Sequence, residues 1–151
     1  MIKIDIKYFS NDIDKITKIE KGNWIDLRAA ETIELKQGDH KLIPLGIGMI
    51  LPVGFEAHIV PRSSTFKRYG IIQTNHIGVI DGPDRETGIG GYCGNNDQWF
   101  MSVYATRDTV INKNDRICQF RIIEQQPTIE FIEVDNLGDV NRGGFGTTGV
   151  N

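Results

Sequence analysis

The sequence predicts an all-β barrel or jelly roll with one short helix and a glycine-rich C-terminal arm. Three observations carry that prediction. Apolar and polar residues alternate with a period of two along most of the chain, the mark of strands with one buried face. Turn signals such as Gln37-Gly38-Asp39 and Asn112-Lys113-Asn114-Asp115 separate the alternating runs. Only one segment has the punctuation of a helix. Short strands joined by turns belong to a barrel or a double-sheet roll.

Taken in order, Ile2, Ile4, Ile6 and Tyr8 face one way, while Lys3, Asp5 and Lys7 face the other. Residues 11–20 have mixed periodicity and are expected to be irregular. A longer run puts Ile43, Leu45, Ile47, Met49 and Leu51 on one face, opposite Pro44, Gly46 and Gly48. Small residues on that second face point to close approach of another backbone. Further strands are expected over residues 32–35, 55–60, 71–74, 99–105, 116–123 and 128–134. The helix is expected over residues 63–70, with Ser63 and Ser64 as hydroxyl caps and Gly70 as a left-handed C-cap. Residues 82–96 hold five glycines and Pro83, so they read as a loop. The tail also has five glycines, and its only apolar residues are Val140, Phe145 and Val150. It cannot bury enough surface to fold alone; either it is disordered or it orders over a ligand. The division is a β domain over residues 1–137 and a flexible arm over 138–151.

Composition narrows the function classes. A chain of 151 residues, 39% hydrophobic and 25% charged, suits one soluble globular domain. With 17 basic and 20 acidic side chains the net charge is −3, which gives no general attraction to nucleic acid. Cys93 and Cys118 are too few for a disulfide framework and are not spaced as metal ligands, so they are expected to be reduced thiols. The N-terminus lacks the apolar core of a signal peptide, and no run has the length of a membrane span. The expectation is a cytoplasmic protein with neither a nucleic-acid nor a membrane partner.

Two segments carry chemistry. Pro61-Arg62-Ser63-Ser64 follows a strand and opens the helix. A helix start presents unpaired amides, the serines add donors, and an arginine fork matches phosphate oxygens. A plain turn with serine caps has the same letters. The second segment is Arg142-Gly143-Gly144-Phe145-Gly146-Thr147-Thr148-Gly149. It offers a cation, two hydroxyls and flexible amides around one aromatic ring, a set able to close over a nucleotide.

Together these segments resemble the trimeric deoxyuridine triphosphatase (dUTPase) family, whose five short motifs all occur here in order. Trp24-Ile25-Asp26-Leu27-Arg28-Ala29 is similar to the first, and Pro61-Arg62-Ser63-Ser64 to the second. Asn75-His76-Ile77-Gly78-Val79-Ile80-Asp81 with Tyr92-Cys93-Gly94 is similar to the third. Asp115-Arg116-Ile117-Cys118-Gln119-Phe120 and Gly143-Gly144-Phe145-Gly146-Thr147-Thr148-Gly149 are similar to the fourth and fifth. No single motif is decisive, but five in order across about 125 residues leave little room for chance.

The resemblance implies a jelly-roll dUTPase barrel that cuts dUTP into dUMP and pyrophosphate, keeping uracil out of DNA and supplying dUMP for thymidylate synthesis. It makes Asp81 the general base for a water attacking the α-phosphorus. It places Tyr92 beneath the deoxyribose, where no 2′-hydroxyl fits, and Asn75 near the base and the attacking water. Arg62, Ser63, Ser64 and Gln119 would hold the phosphates, and Phe145 would stack on uracil while Arg142, Thr147 and Thr148 close over them. The implied cofactor is Mg2+, held mainly by phosphates and waters, with Asp26 acting on it indirectly through water. The implied assembly is a homotrimer with shared active sites, the arm of one subunit lying across the site of another.

This chain departs from the family pattern between Asp81 and Tyr92. The family usually has two residues there, and this chain has ten, residues 82–91. If that insert loops outward the chemistry is untouched; if it folds inward nucleotide choice changes. Its Asp84-Arg85-Glu86 trio could also meet a regulatory protein partner. The fifth motif is one residue shorter than usual between Arg142 and Gly144. A dCTP deaminase shares the fold but usually lacks the pairing of Gly-Val-Ile-Asp with Gly-Gly-Phe-Gly, and both are present here. An inert nucleotide-sensing regulator is expected to lose Asp81 or the arm, and both are retained.

Overall fold

The computed structural model describes residues 2–17, 22–140 and 142–144. Its elements in chain order are β1 (Asp5–Tyr8), β2 (Ile25–Arg28), β3 (Ile33–Leu35), β4 (His40–Pro44), β5 (Ile47–Ile50) and β6 (Phe55–Pro61), then the only helix among the described residues, α1 (Thr65–Tyr69). The rest are β7 (Ile71–Gln73), β8 (Gly78–Ile80), β9 (Phe100–Ala105), β10 (Thr109–Ile111) and β11 (Arg116–Glu124). Four antiparallel sheets wrap one core in the orders β2-β11-β6-β8, β4-β9-β7, β1-β5 and β3-β10. Trp99 and Phe120 meet edge-on at its centre, with ring centroids 5.3 Å apart.

The alternation read from the sequence is borne out, with one correction at Gly46. Ile43, Leu45, Ile47, Met49 and Leu51 are all buried. They do not share one strand, because Gly46 has φ +68 and turns the chain from β4 into β5. Close approach on the small-residue face holds at Gly48, where an added Cβ would lie 2.7 Å from the Asp97 carbonyl oxygen. β1 is shorter than the period suggests, and Ile2 is exposed.

A second correction concerns residues 128–134, expected to be a strand. They have no regular structure, and Phe131 and Ile132 are exposed. A strand forms only beside a partner edge, and past Glu124 none pairs with it in the described chain. β2, β8 and β10 are strands that the expected set does not include. Two of them span three residues, too few for alternation to register.

The helix is also shorter than expected. Its five residues end at Gly70, which takes the left-handed C-cap conformation (φ +63) as read from the sequence. Its start differs: Ser64 makes no side-chain cap hydrogen bond. Thr65 instead accepts the Arg62 amide at 2.9 Å through its hydroxyl and donates to the Ile117 carbonyl at 2.8 Å. That buried threonine locks the start of the helix to β11 and leaves Ser63 and Ser64 exposed on the outside of the turn.

Candidate active site

Two clusters lie at opposite ends of β6. The first is built by the sheet order β2-β11-β6, which brings three distant stretches of chain side by side. Asp26 on β2 pairs with Gln119 on β11, and Gln119 pairs with Val60 on β6. The Asp26 carboxylate accepts from Arg62 Nε at 2.8 Å through one oxygen and from Arg116 Nη1 at 3.1 Å through the other. Arg62 also donates to the Arg116 carbonyl at 3.3 Å, and Gln119 Nε2 donates to the Pro61 carbonyl at 3.1 Å. One carboxylate against two guanidinium groups leaves positive charge uncompensated, beside the exposed hydroxyls of Ser63 and Ser64. Such a face has the charge and the pre-oriented arginine forks that suit an anion.

Arg116 is the member that sequence reasoning left without a role. The β11–β2 register shifts between Arg116 and Cys118, a bulge that buries two successive residues, Ile117 and Cys118. The bulge breaks the period of two, so alternation could not show that Arg116 joins Asp26. Burial and the nearby Asp26 charge push the Cys118 thiol far above its ordinary pKa, so it is inert there.

The second cluster follows β8. Val79, Ile80, Asp81, Tyr92, Gln98 and Phe100 line an open cavity of about 220 Å3. Asp81 is exposed in it, and the Tyr92 hydroxyl donates to the Gln98 carbonyl at 3.1 Å, fixing the ring in the wall. The Tyr92 amide donates to the Asp81 carbonyl at 2.7 Å, so the hairpin closes across the insert as though the insert were absent. Two glycines make that neck. An added Cβ on Gly82 would lie 2.0 Å from the Phe55 carbonyl oxygen, and one on Gly91 would lie 2.6 Å from the Gly82 carbonyl carbon. The insert loops outward.

Asn75 sits on the turn before β8, exposed, next to His76, whose φ of +48 is left-handed. Buried Gln73 ties that turn down, donating to the Ile59 and His76 carbonyls at 3.0 and 3.2 Å. Arg142 is exposed, and Phe145, Thr147 and Thr148 lie outside the described residues.

The clusters do not meet within one chain. Ile80 pairs with Ala57, which sets Asp81 level with Glu56, whereas Arg62 follows Pro61 at the other end of β6. Six steps along the strand put them about 20 Å apart.

Comparison with known proteins decides the family. The dUTPase family model matches residues 18–149. The SPbeta prophage-derived deoxyuridine 5'-triphosphate nucleotidohydrolase of Bacillus subtilis strain 168 is 53% identical over 149 residues, covering 99% of each chain. The chain belongs to the dUTPase family. Among solved structures, the dUTPase of Staphylococcus bacteriophage 80alpha, in a variant with dUpNHpp, superposes with TM-score 0.77 at 18% identity, covering 99% of this chain and 100% of that one. A dUTPase variant from phage phi11 of S. aureus, described with the coordination of a structural Mg(II) ion, gives 0.70 at 13% identity over 90% and 99%. Those likenesses carry the dUTPase jelly-roll fold, matching the all-β class read from the sequence.

Among the described residues no group of three or more His, Cys, Asp or Glu is placed to hold a metal, and no helix is long and apolar enough to cross a membrane. Both oxygens of Asp26 already serve arginines. Among the described residues, the donor set forms no protein cage for an ion.

Proposed function

We propose that this dUTPase hydrolyses dUTP to dUMP and pyrophosphate as a magnesium-dependent homotrimer. The observation that carries the reading is the separation of the two clusters along β6. One end offers a carboxylate beside an aromatic-walled cavity, and the other offers an anion-binding face. A nucleoside triphosphate needs both within its own length, which one chain does not supply, and on this reading a neighbouring copy completes the site. That requirement supports shared sites, and the number three is the expectation carried by the family resemblance.

In the assembled site the cavity by Asp81 and Tyr92 takes the deoxyuridine, with main-chain groups of the turn at Asn75 and of the hairpin reading the base. Cytosine reverses the donor and acceptor on the edge being read, leaving buried groups unpaired, so dCTP is rejected strongly. The Tyr92 ring lies where a 2′-hydroxyl would project, which rejects UTP. Arg62, Ser63, Ser64 and Gln119 of a neighbouring subunit hold the phosphate chain, with Arg116 and Asp26 fixing the direction of Arg62.

Asp81 takes a proton from a water held with the help of Asn75. The water oxygen bonds to the α-phosphorus, the α–β bridging bond breaks, and its electron pair leaves with pyrophosphate. Magnesium bound with the substrate would supply charge neutralisation on the phosphates, and Asp26 would act on it indirectly, through water. The arm over residues 138–151 closes the site, Phe145 on uracil and Arg142, Thr147 and Thr148 on the terminal phosphates. In the cytoplasm the enzyme lowers dUTP and supplies dUMP.

The test is pyrophosphate release, with magnesium, from dUTP, dCTP, dTTP and UTP side by side. Release from dUTP alone is the expected result. Release from all four would remove the specificity assigned to Tyr92 and the hairpin, and conversion of dCTP to a uracil product would make the protein a deaminase.

A further inference from the structure

The insert over residues 82–91 turns away from the cavity and grips the chain that leaves β11. Within it Asp84 organises a tight turn, accepting from the Thr87 amide at 2.8 Å, the Thr87 hydroxyl at 2.9 Å and the Glu86 amide at 3.1 Å. The Thr87 amide and hydroxyl hold the Asp84 carboxyl below its ordinary pKa. That turn presents Arg85 and Glu86 to the same stretch of chain. Arg85 Nη2 donates to the Gln125 carbonyl at 2.7 Å, and Glu86 accepts from the Thr128 hydroxyl at 2.5 Å. Gln125 returns the contact, its amide nitrogen lying 3.3 Å from the Phe55, Gly82 and Pro83 carbonyls. Gly54 completes the junction, donating to the Pro83 carbonyl and accepting from the Gln125 amide.

We propose that this insert is an internal bracket for the C-terminal arm, with Arg85, Glu86 and Gln125 as positioning residues that set the direction in which the arm departs. Among the described residues, Thr128 is the last whose side chain is hydrogen-bonded to the body of the protein, and its partner is in the insert. Beyond it residues 129–140 have no regular structure, and Leu137 and Val140 are almost fully exposed. A flexible tether delivers its end according to where and in what direction its root is fixed, so the bracket raises the local concentration of the arm at its target. The neck of the insert is the Asp81–Tyr92 pair itself, which places the root of the arm and the proposed base-binding cavity on one closely packed junction.

The inference rests on the proposed closure of the arm over a neighbouring site, and a kinetic cycle on the full-length protein separates the two. Arg85→Ala combined with Glu86→Ala is expected to raise KM for dUTP about 3- to 10-fold with kcat and melting temperature unchanged. Removal of the arm after Val140 is expected to raise KM by itself, and the bracket substitutions are expected to add nothing in that background. Arg85→Lys, which keeps a donor, should restore part of the loss. An unchanged KM in the bracket variant, while the truncated protein is impaired, would overturn the bracket alone. So would the same fold-change in both backgrounds, which would mean the insert acts on the cavity instead. An unimpaired truncated protein would overturn the closing arm, and the bracket's function with it.

Discussion

The two ends of β6 are built on different principles. At the Pro61 end, side chains do the work: Asp26 holds Arg62 and Arg116 in a hydrogen-bonded network fixed by strand register. At the Phe55 end, backbone does it: Gly82 and Gly91 pack against carbonyl groups and hold Asp81 and Tyr92 at the rim of an open cavity. A charged network tolerates variation of its surroundings as long as its partners persist. A backbone junction tolerates no added atom but accepts about eight extra residues just beyond its neck. On the proposed reading, binding of the phosphates and activation of the attacking water can therefore be broken separately.

The largest expected effect is on turnover at the backbone-built end. Asp81→Asn keeps the shape of the side chain and removes its basicity. Turnover should fall on the order of 10³-fold, equivalent to roughly 4 kcal/mol in the barrier, with dUTP still bound. Single-turnover kinetics with equilibrium binding separates the two quantities, and normal turnover would remove Asp81 from the base role.

Next comes the neck. In Gly82→Ala the new methyl would meet the Phe55 carbonyl oxygen at 2.0 Å, a backbone atom that cannot swing aside. The junction must move, at a cost of about 1–3 kcal/mol of stability, and Asp81 moves with it. Thermal unfolding and activity should fall together. A variant as stable and active as the parent would show that the neck is softer than its geometry implies.

At the other end, Asp26→Asn leaves Arg62 and Arg116 without their shared carboxylate. The guanidinium groups then repel each other, and an amide offers a weaker acceptor. KM for dUTP should rise roughly 10-fold, about 1.4 kcal/mol, with turnover changed less. A larger loss in kcat than in KM would assign Asp26 a direct part in the chemistry.

The fold was legible because strand periodicity survives tertiary context. Ile43, Leu45, Ile47, Met49 and Leu51 are buried as the alternation predicts, across the turn at Gly46. What escaped were features that alternation does not encode. β8 and β10 are too short, the bulge at Arg116–Cys118 interrupts the period, and residues 128–134 carry a strand pattern without a partner edge in one chain. In the site, the motif residues were legible as motifs, but their partition into two clusters depends on the register of β6 with β8 and β11. Neither composition nor spacing holds that register.

The smallest effect sharpens the comparison most, because it splits one side chain. Tyr92 contributes a ring to the cavity wall and a hydroxyl that donates to the Gln98 carbonyl at 3.1 Å. Tyr92→Phe removes only the hydrogen bond, a partly exposed one contributing about 0.5–1.5 kcal/mol, so KM should rise by a small factor. The ring would still stand where a 2′-hydroxyl must go, so the preference for dUTP over UTP should persist. Tyr92→Ala removes the ring and should let UTP in. Measured as kcat/KM ratios for the two nucleotides, loss of preference already in Tyr92→Phe would mean that the hydroxyl tether, and not the ring's bulk, enforces the choice of sugar. The backbone-built end would then depend on a side-chain hydrogen bond after all, and the contrast between the two ends of β6 would narrow.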